Sequence, residues 1–534
     1  MGCDVVFLNP SNLEGIYQNL ANDYAAIEPP TWALLLAQSV RSQGFKTAII
    51  DAPAELLTDD QVLSRVVELN PRLVCFVVYG QNVNAGTASM SGATRTSKYL
   101  KEYFPNMKIA YIGSYVQALP KKALQDEQSI DFAFTNEGVY SLWNILKLPE
   151  ISQSSLQNVK GVVWRSSNGV LINPSEQVVP NERMDLDLPG YAWDLLPFKD
   201  KPLDLYRAPM WHAEYDPAKR TPYAALQTSL GCMFSCSFCM INTINRDDTE
   251  EVGVSGDYSK MRFWSPEFII KEFDKLAELG VRTIRIVDEM FLLNRKYFVP
   301  LCEMLAAREY ASELRMWAYS RVDTIKNPQF LSLVRAAGIK WLALGIESAE
   351  RTVRLEISKG QFEDVDIKKV VAYVHEAGIE VMANYIAGLP GETEELMQAT
   401  LDLSLELCTS GWNMYPAMAL PGSQLYKDAL SQGLQLPESY VANSFHAFET
   451  LPLGTEHLSP AQVLKFRDRA FQIYHSNQRF LTRIEENFGL EAREAIIEMN
   501  KVVLRRGIVE NHASNKVHVS DPDAFGLHID TESI

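Results

Sequence analysis

Residues 231–240 read GCMFSCSFCM and place Cys232, Cys236 and Cys239 within eight positions of the chain. Thiolates at this spacing can cover one face of an iron–sulfur cluster, and three thiolates leave one iron of a [4Fe–4S] cluster without a protein donor. That open iron can bind the amino and carboxylate groups of a methionine moiety. The stretch therefore predicts a [4Fe–4S] site on these three cysteines.

The alternatives to a cluster are a structural zinc site and three buried structural cysteines. Structural zinc normally takes four ligands, commonly as two Cys-x2–4-Cys pairs. No fourth cysteine or histidine lies nearby, since His212 is twenty residues upstream of the first cysteine. The sequence therefore favours the cluster. Three other cysteines are predicted to be core residues, because free cysteine is among the most buried residue types: Cys75, Cys302 and Cys408.

The cysteine stretch follows the first of six strand–helix units that run from Tyr223 to about Tyr426. The predicted strands are AALQTSL, RTIRIVD, LRMWAYSRVD, KWLALGIES, EVMANYIAG and NMYPAMAL. Alternation of this kind is typical of right-handed βαβ units on a parallel sheet. Six units predict an α/β fold with a partial (β/α)6 barrel over residues 223–430, whose active site is formed by the loops after the strands.

The first 148 residues show a second alternation of short apolar runs and amphipathic stretches. The predicted strands are CDVVFLNP, FKTAIIDA, RLVCFVVYG, KIAYIGS and IDFAFTNEG. This pattern predicts a doubly wound parallel sheet that binds ligands beyond the carboxyl ends of its strands. Residues 149–222 are predicted to form a hairpin, turning at Asn168-Gly169, and an irregular connector. Residues 431–534 are predicted to form a small helical domain with a polar tail.

The cysteine motif, with Phe238 before the third cysteine, and the six-unit barrel resemble the radical S-adenosylmethionine (SAM) superfamily. The resemblance implies that the cluster reduces SAM and releases a 5′-deoxyadenosyl radical. It also implies SAM-binding positions at Phe238, Asp288, Glu289, Ser320, Arg321, Glu347 and Gly388. Each position alone is equally consistent with a turn or a surface ion pair. Their shared placement at strand ends favours the set.

The resemblance gives these strand-end residues separate roles. Asp288 and Glu289 would hold the amino group of SAM, since a carboxylate pairs well with an ammonium. Arg321 would bind the methionine carboxylate, and Glu347 would accept hydrogen bonds from the ribose hydroxyls. Gly388 would let the backbone approach adenine. Three tyrosines on barrel strands are candidate catalytic residues that face substrate or donate a proton or hydrogen atom: Tyr319, Tyr385 and Tyr415.

The order of the N-terminal units resembles the cobalamin-binding domain that precedes the barrel in one subgroup of radical SAM enzymes. The resemblance implies cobalamin contacts at Asn9, Tyr79, Gln81, Gly113, Ser114, Tyr115, Glu137 and Gly138. No histidine precedes His212, so the Asp-x-His-x-x-Gly motif that supplies an imidazole to cobalt is absent. The lower face of cobalt is then expected to be empty, solvated or met by a group such as Tyr115 or Gln117.

The alternative for this N-terminal region is a domain that binds a nucleotide or is purely structural. Nucleotide binding is disfavoured, because FLNPSN lacks the Gly-x-Gly-x-x-Gly turn that brings a backbone against pyrophosphate.

The composition of the chain limits the kinds of partner that it can bind. A net charge of -17 disfavours nucleic acid, whose binders normally present a basic surface. No apolar stretch approaches the ~20 residues that cross a bilayer, and the first residues do not resemble a signal peptide. We therefore expect a cytoplasmic protein that acts on a small molecule away from membranes. The family resemblance also implies that the protein has an electron donor such as flavodoxin or ferredoxin as a partner.

The pairing of the two modules resembles cobalamin-dependent radical SAM methyltransferases. It implies methyl transfer to an unactivated carbon, less often phosphorus, of a small metabolite. A first alternative keeps these cofactors but forms rings, rearranges or oxidises the substrate. A second alternative is a non-catalytic corrinoid or iron–sulfur sensor, which the open-iron cysteine motif disfavours. Modification of tRNA is disfavoured by the acidic net charge.

Overall fold

The computed structural model describes residues 2–80, 83–208, 222–362 and 364–510. Its N-terminal sheet begins with five strands: β1 (Val5–Asn9), β2 (Thr47–Asp51), β3 (Leu73–Val78), β4 (Ile109–Gly113) and β5 (Phe132–Phe134). These strands are parallel and lie in the order β2-β1-β3-β4-β5. The order reverses between β1 and β3, which is where doubly wound sheets bind ligands.

Ten helices accompany these strands: α1 (Leu13–Tyr17), α2 (Leu20–Asp23), α3 (Thr31–Ser42), α4 (Ala52–Glu55), α5 (Asp59–Leu69), α6 (Gly86–Tyr103), α7 (Ser114–Ala118), α8 (Pro120–Asp126), α9 (Val139–Leu146) and α10 (Gln153–Leu156). They cover both faces of the sheet. Val5 and Phe7 of β1 pack in one core with α3, while Val6 and Leu8 pack in the opposite core with α5. The predicted doubly wound sheet is therefore confirmed.

A hairpin extends this sheet at β5. Its strands are β6 (Val162–Ser166) and β7 (Gly169–Ile172), and β6 pairs antiparallel with β5. Ser166 pairs with Gly169, so the turn residues are 167 and 168, one position before the predicted Asn168-Gly169 turn. The sequence analysis grouped this hairpin with the connector, because edge pairing depends on contacts with β5 that the local pattern does not encode.

The barrel region begins after α11 (Met184–Asp187) and contains eight strands: β8 (Tyr223–Leu226), β9 (Ser229–Cys232), β10 (Lys260–Phe263), β11 (Thr283–Ile286), β12 (Arg315–Arg321), β13 (Ile339–Glu347), β14 (Glu380–Ala387) and β15 (Gly411–Pro416). Six of them form a parallel sheet in the order β15-β14-β13-β12-β11-β8. All six predicted barrel strands are present, and the partial barrel is confirmed. β9 and β10 form a separate antiparallel pair that carries Cys232.

Seven helices follow the barrel strands: α12 (Pro266–Glu278), α13 (Arg295–Ala306), α14 (Leu331–Ala336), α15 (Arg351–Ile357), α16 (Ile367–Glu376), α17 (Glu394–Leu407) and α18 (Gln424–Ser431). Ser265 caps α12 by accepting a hydrogen bond from the Phe268 amide. Cys75 and Cys302 are buried as predicted. Cys408 is buried too, but it is the residue that ends α17 rather than part of a helix.

Residues 233–259, which connect β9 to β10 and are named the cluster insertion here, dock on the N-terminal sheet. The amide of Glu137 donates to the Ile244 carbonyl at 3.0 Å, and the amide of Gly253 donates to the Ala118 carbonyl at 2.8 Å. Arg246 is buried and donates to the Gln117 carbonyl. The segment that carries Cys236 and Cys239 is thereby fixed against the loops after β4 and β5.

Three helices form the C-terminal part of the described chain: α19 (Pro460–Ser476), α20 (Gln478–Phe488) and α21 (Leu490–Asn500). Arg467 of α19 donates to the Met414 carbonyl on the edge strand β15 at 2.7 Å. The loop before α19 reaches the N-terminal region, where the Ser444 hydroxyl donates to the Ile16 carbonyl. Within the described ranges, every helix is too short or too polar to cross a bilayer.

Candidate functional site

One cavity of about 240 Å³ lies at the carboxyl ends of the barrel strands and contains all three motif cysteines. Ten of the predicted site residues line it: Cys232, Cys236, Phe238, Cys239, Glu289, Tyr319, Ser320, Arg321, Glu347 and Tyr415. Asn84, which follows β3 of the N-terminal sheet, lines the same cavity. The two sheets therefore share one cavity, with the cysteines on the barrel side.

Polar contacts hold the segment of the three thiols in place, in which Cys232 is buried and Cys236 and Cys239 are half-buried. The amide of Cys232 donates to the Asn242 side chain at 2.7 Å, and the amide of Cys239 donates to the Cys236 carbonyl at 3.2 Å. Burial raises the pKa of Cys232 to about 12 and that of Cys236 to about 11. Buried thiols of this kind need a bound cation to become thiolates.

The donor set fits an iron–sulfur cluster. Within the described ranges, no three His, Cys, Asp or Glu side chains converge on a single metal ion. Each thiolate of a [4Fe–4S] cluster binds a different iron, so its ligands face a common space rather than a common point. The three cysteines share one cavity in this way.

Two half-buried carboxylates face this cavity without a protein partner within the described residues. Glu289 and Glu347 have neither a hydrogen bond nor an ion pair within the described part of the chain. Burial raises the pKa of Glu289 to about 7 and that of Glu347 to about 8. An ammonium and two hydroxyl groups are the kinds of ligand that satisfy such carboxylates. Their positions fit the predicted amino-group and ribose contacts of SAM.

Glu347 reaches the cavity through an unusual backbone conformation. Its φ angle is 67°, in the left-handed region, and the pairing of β13 with β14 shifts register between Gly345 and Glu347. A side chain at residue 345 would meet the carboxylate, because a Cβ there would lie 2.5 Å from Oε1 of Glu347. Strain of this kind persists where the side chain is needed at the site.

Replacing Glu347 by glycine is therefore expected to stabilise the protein while weakening SAM binding. Glycine removes a left-handed strain of about 1–2 kcal/mol. Loss of the carboxylate is expected to weaken SAM binding roughly tenfold or more, because a hydrogen bond to a charged group contributes about 1.5–3 kcal/mol. Unfolding midpoints without SAM and equilibrium dialysis with SAM measure the two effects.

Leu56→Gly is the matched control for this substitution. Leu56 also has a left-handed φ, 54°, but it is 73% exposed at the end of α4 and far from the cavity. It is expected to stabilise the protein without changing SAM affinity. A Glu347→Gly variant that is destabilised and binds SAM normally contradicts this role for Glu347.

Arg321 is placed differently from the predicted carboxylate clamp. Its Nε and Nη2 atoms donate to the two carboxylate oxygens of Asp323 at 2.8 and 2.6 Å. Nη2 also donates to the Gln361 carbonyl, and Nη1 points to the sulfur of Cys236 at 3.8 Å. The paired N–H groups that would grip a methionine carboxylate are therefore already occupied.

Of the predicted carboxylate pair, only Glu289 reaches the cavity. Asp288 accepts hydrogen bonds from the amide and hydroxyl of Thr228 and from the hydroxyl of Ser229, all at 2.5–2.7 Å. Ser229 begins β9, which ends at Cys232. Asp288 thus fixes the strand that carries the first cysteine, rather than facing a ligand.

Gly388 and Tyr385 also lie outside the cavity lining. Gly388 has a φ of 81°, and a Cβ there would lie 2.4 Å from the Val463 side chain. Its amide donates to Glu392, a buried residue that sequence reasoning missed. Tyr385 is fully buried against Trp412. Ile386 of β14 and Ala417, which directly follows β15, line the cavity instead.

The predicted cobalamin positions gather at the carboxyl ends of the N-terminal strands, but several have protein partners. Asn9 donates to Asp51 at 2.7 Å. The hydroxyl of Tyr79 accepts from Gln117 at 2.5 Å, and Tyr115 packs edge-on against Tyr440.

Among the remaining cobalamin positions, Ser114 is fully buried, and a Cβ on Gly113 would collide with the Val78 carbonyl. Gly138 begins α9 with a φ of 76°. Gln81 lies outside the described residues.

Glu137 is engaged in a buried ion pair rather than left open for a corrin. Its carboxylate lies 2.6 Å from Nη2 of Arg262, and both side chains are at most 1% exposed. Arg262 also donates to the Val179 carbonyl and to the side chain of Asn245 in the cluster insertion. The predicted contact with cobalamin is replaced here by a contact that joins the N-terminal sheet to β10.

Two polar atoms beside β3 do fit a bound ligand. The side-chain oxygens of Asn84 and Thr87 are buried and lack a hydrogen-bond partner within the ranges that the structure describes. Thr87 lies in the first turn of α6 and is fully buried. Buried polar atoms normally have a partner, and these two lie beside the point where the strand order reverses. They fit a site for the polar amides of a corrin ring.

Arg285 is a further cavity residue that sequence reasoning missed. It lies on β11, and the alternation of side chains along this strand places it on the same side as Val287, two residues further on, which also lines the cavity. Its Nη1 donates to both carboxylate oxygens of Glu28 at 2.6 Å, and its guanidinium lies 4.9 Å from the ring centre of Tyr319. The alternation of side chains every two residues along β11 was the signal in the sequence that could have identified Arg285.

Two family profiles match the chain. The profile described as the Radical SAM superfamily matches residues 226–404, and the profile of the B12 binding domain matches residues 19–145. Both matched regions contribute to the cavity, since the three cysteines lie in the first and Asn84 lies in the second.

Individual relatives are distant in sequence. The anaerobic magnesium-protoporphyrin IX monomethyl ester cyclase of Cereibacter sphaeroides is 24% identical over 77% of this chain and 61% of its own length. An uncharacterized methyltransferase of Pyrococcus horikoshii is 24% identical over 88% of this chain and 92% of its own length.

A solved structure shares the fold. The radical S-adenosylmethionine methyltransferase TsrM of Kitasatospora setae, with cobalamin and a [4Fe-4S] cluster bound, aligns with a TM-score of 0.60 at 15% identity. The alignment covers 88% of this chain and 85% of that one.

Proposed function

The chain belongs to the cobalamin-dependent radical SAM enzymes, and on this basis we propose that it transfers a methyl group to an unactivated carbon, or less often phosphorus, of a small metabolite. The observation that carries the proposal is the single cavity shared by the three cysteines and by Asn84 of the N-terminal sheet. A reaction that passes a methyl group to a substrate radical requires both cofactors beside one substrate. The methyltransferase of Pyrococcus horikoshii, similar over most of both chains, supports this choice.

The cofactors of this enzyme are a [4Fe–4S] cluster, SAM and cobalamin. Bound together, they supply a 5′-deoxyadenosyl radical and a transferable methyl group. Cys232, Cys236 and Cys239 would hold the cluster, and Glu289 and Glu347 would orient SAM. Asn84 and Thr87 would contact cobalamin. The apolar wall formed by residues such as Met418, Leu420 and Phe445 would exclude water from the radical.

The substrate end of the cavity is proposed to lie near the two cavity tyrosines. Tyr415 packs against Phe445 with ring centres 4.8 Å apart, and its hydroxyl has no hydrogen-bond partner within the described residues. The hydroxyl of Tyr319 accepts from Trp317 at 3.3 Å. We therefore favour Tyr415 as the tyrosine that contacts substrate. A one-electron donor such as flavodoxin or ferredoxin remains part of the proposal.

We propose that the chain is divided into the same four parts that the sequence predicts. They are a cobalamin-binding domain over residues 1–148, a hairpin and connector over 149–222, the barrel over 223–430 and a helical C-terminal domain over 431–534. The pairing of β6 with β5 ties the hairpin to the first of these units.

A second candidate function uses the same cofactors to form a ring without methyl transfer. It is favoured by the similarity to the cyclase of Cereibacter sphaeroides, although the alignment spans only 61% of that protein. Both functions consume SAM at the cluster. They differ in whether the methyl group of SAM leaves with the product.

Product analysis separates the two functions. The holoenzyme, incubated anaerobically with reductant, SAM and a panel of candidate metabolites, is expected to release S-adenosylhomocysteine and 5′-deoxyadenosine together in the presence of its substrate. Liquid chromatography with mass spectrometry quantifies both products. Turnover of a metabolite that yields 5′-deoxyadenosine without S-adenosylhomocysteine would rule out methyl transfer and support the second function.

A further inference from the structure

The guanidinium of Arg321 is held rigidly beside the cysteine motif. It contacts two aromatic rings, with its central carbon 3.7 Å from the ring centre of Phe234 and 4.6 Å from that of Phe362. Asp323 and the Gln361 carbonyl accept hydrogen bonds from Nε and Nη2. Only 5% of the Arg321 surface is exposed. The group therefore has one fixed position.

In that position the remaining nitrogen, Nη1, lies 3.8 Å from the sulfur of Cys236. A cation with an N–H group directed at a cluster ligand stabilises the form of the cluster that carries more negative charge, which is the reduced form. The effect is large where water is excluded, because buried charges are weakly screened. Phe234 and Phe362 pack against the guanidinium, and the low exposure of Arg321 shows that water is largely excluded from it.

We propose that Arg321 is a positioning residue that raises the reduction potential of the cluster bound by Cys232, Cys236 and Cys239, and that it does not clamp the SAM carboxylate. The inference rests on the proposed cluster. It assigns Arg321 to control of electron entry, the step that precedes SAM cleavage.

Asp323 is the carboxylate partner of Arg321 in this arrangement. It is 3% exposed, and its carboxylate forms a paired ion contact with the guanidinium at 2.6 Å. Its negative charge partly offsets the charge of Arg321 at the cluster. Removal of each partner therefore has opposite consequences: loss of the cation makes the cluster harder to reduce, and loss of the anion makes it easier to reduce.

The test compares Arg321→Gln and Asp323→Asn as reconstituted holoproteins without SAM or substrate. The cluster potential is measured by redox titration followed by electron paramagnetic resonance (EPR). Arg321→Gln is expected to shift the potential to more negative values, and Asp323→Asn to less negative values. A purely structural role for the pair predicts shifts of the same sign or none, and either outcome overturns the inference.

Arg354→Gln is the matched control. Arg354 is also 5% exposed and lies over the same Phe362 ring at 5.5 Å, but it donates to the carbonyls of Ser348 and Ala349. Its replacement is expected to leave the potential unchanged. If Arg321→Gln fails to assemble a cluster, the potential of Asp323→Asn is the deciding measurement. A cluster potential less negative than that of the wild type supports the inference, and an unchanged or more negative potential overturns it.

The titration also separates this inference from the proposed function. A wild-type protein that assembles no cluster refutes the proposed function itself. A wild-type protein with a complete cluster, combined with variants that do not shift in opposite directions, refutes only the role of Arg321.

Discussion

Cys239→Ala is expected to lose reductive SAM cleavage completely, with 5′-deoxyadenosine falling to the level of a reaction without enzyme. The proposed cluster would have three protein ligands, so loss of one thiolate would leave a second iron without a protein donor. Cys239 lines the cavity, and no described cysteine besides the other two ligands, Cys232 and Cys236, lines it to replace the lost thiolate. Iron content and 5′-deoxyadenosine release, measured on the same anaerobic preparation, check the result.

Cys302→Ala is the control for this loss. Cys302 is more deeply buried than Cys239, at 1% exposure, but it lies within α13 and does not line the cavity. Its replacement is expected to keep the full iron content and the full rate of SAM cleavage. Cleavage that persists in Cys239→Ala would refute the assignment of the cluster to this motif.

Glu137→Gln is expected to destabilise the protein by about 3–5 kcal/mol, because it leaves the buried charge of Arg262 without its partner. The pair is almost fully buried and joins the N-terminal sheet to β10. The N-terminal sheet would then lose its fixed position against the cluster insertion. A lower unfolding temperature and a lower corrinoid content after reconstitution are the measurements.

Glu251→Gln tests whether burial, rather than any ion pair with the N-terminal region, produces this effect. Glu251 belongs to the cluster insertion and pairs with Lys121 of the N-terminal region at 2.8 Å, but its side chain is 74% exposed. Exposed pairs contribute about 0–1 kcal/mol, so its loss is expected to have little effect. Equal effects of the two substitutions would show that the buried pair has no special role.

The architecture could be predicted from the sequence because each strand has a local signature. The run LVCFVV within RLVCFVVYG is apolar throughout, as strands buried on both faces are, and the cysteine motif is contiguous. The hairpin at 162–172 was recognised as a hairpin but not as part of the first sheet. Its pairing with β5 is a contact between segments that no local pattern describes.

The sequence predicted which strand ends form the site, but it did not predict the directions of the side chains at those ends. Parallel strands bring their carboxyl ends to one edge, which is why Glu289 and Glu347 could be placed together. Side-chain direction at those ends depends on turns and bulges, so Asp288 and Glu289 face different surroundings although they are adjacent. The partners of Arg321 and Glu137 are likewise tertiary contacts, and they changed the expected role of each residue.

The most direct test of the whole account is the EPR spectrum of the reduced protein before and after addition of SAM. The account predicts a [4Fe–4S] signal at about four iron and four sulfide atoms per chain. It further predicts that SAM shifts this signal, because its amino and carboxylate groups bind the iron that the three cysteines leave open. A fully reduced cluster whose spectrum is identical with and without saturating SAM would contradict the account.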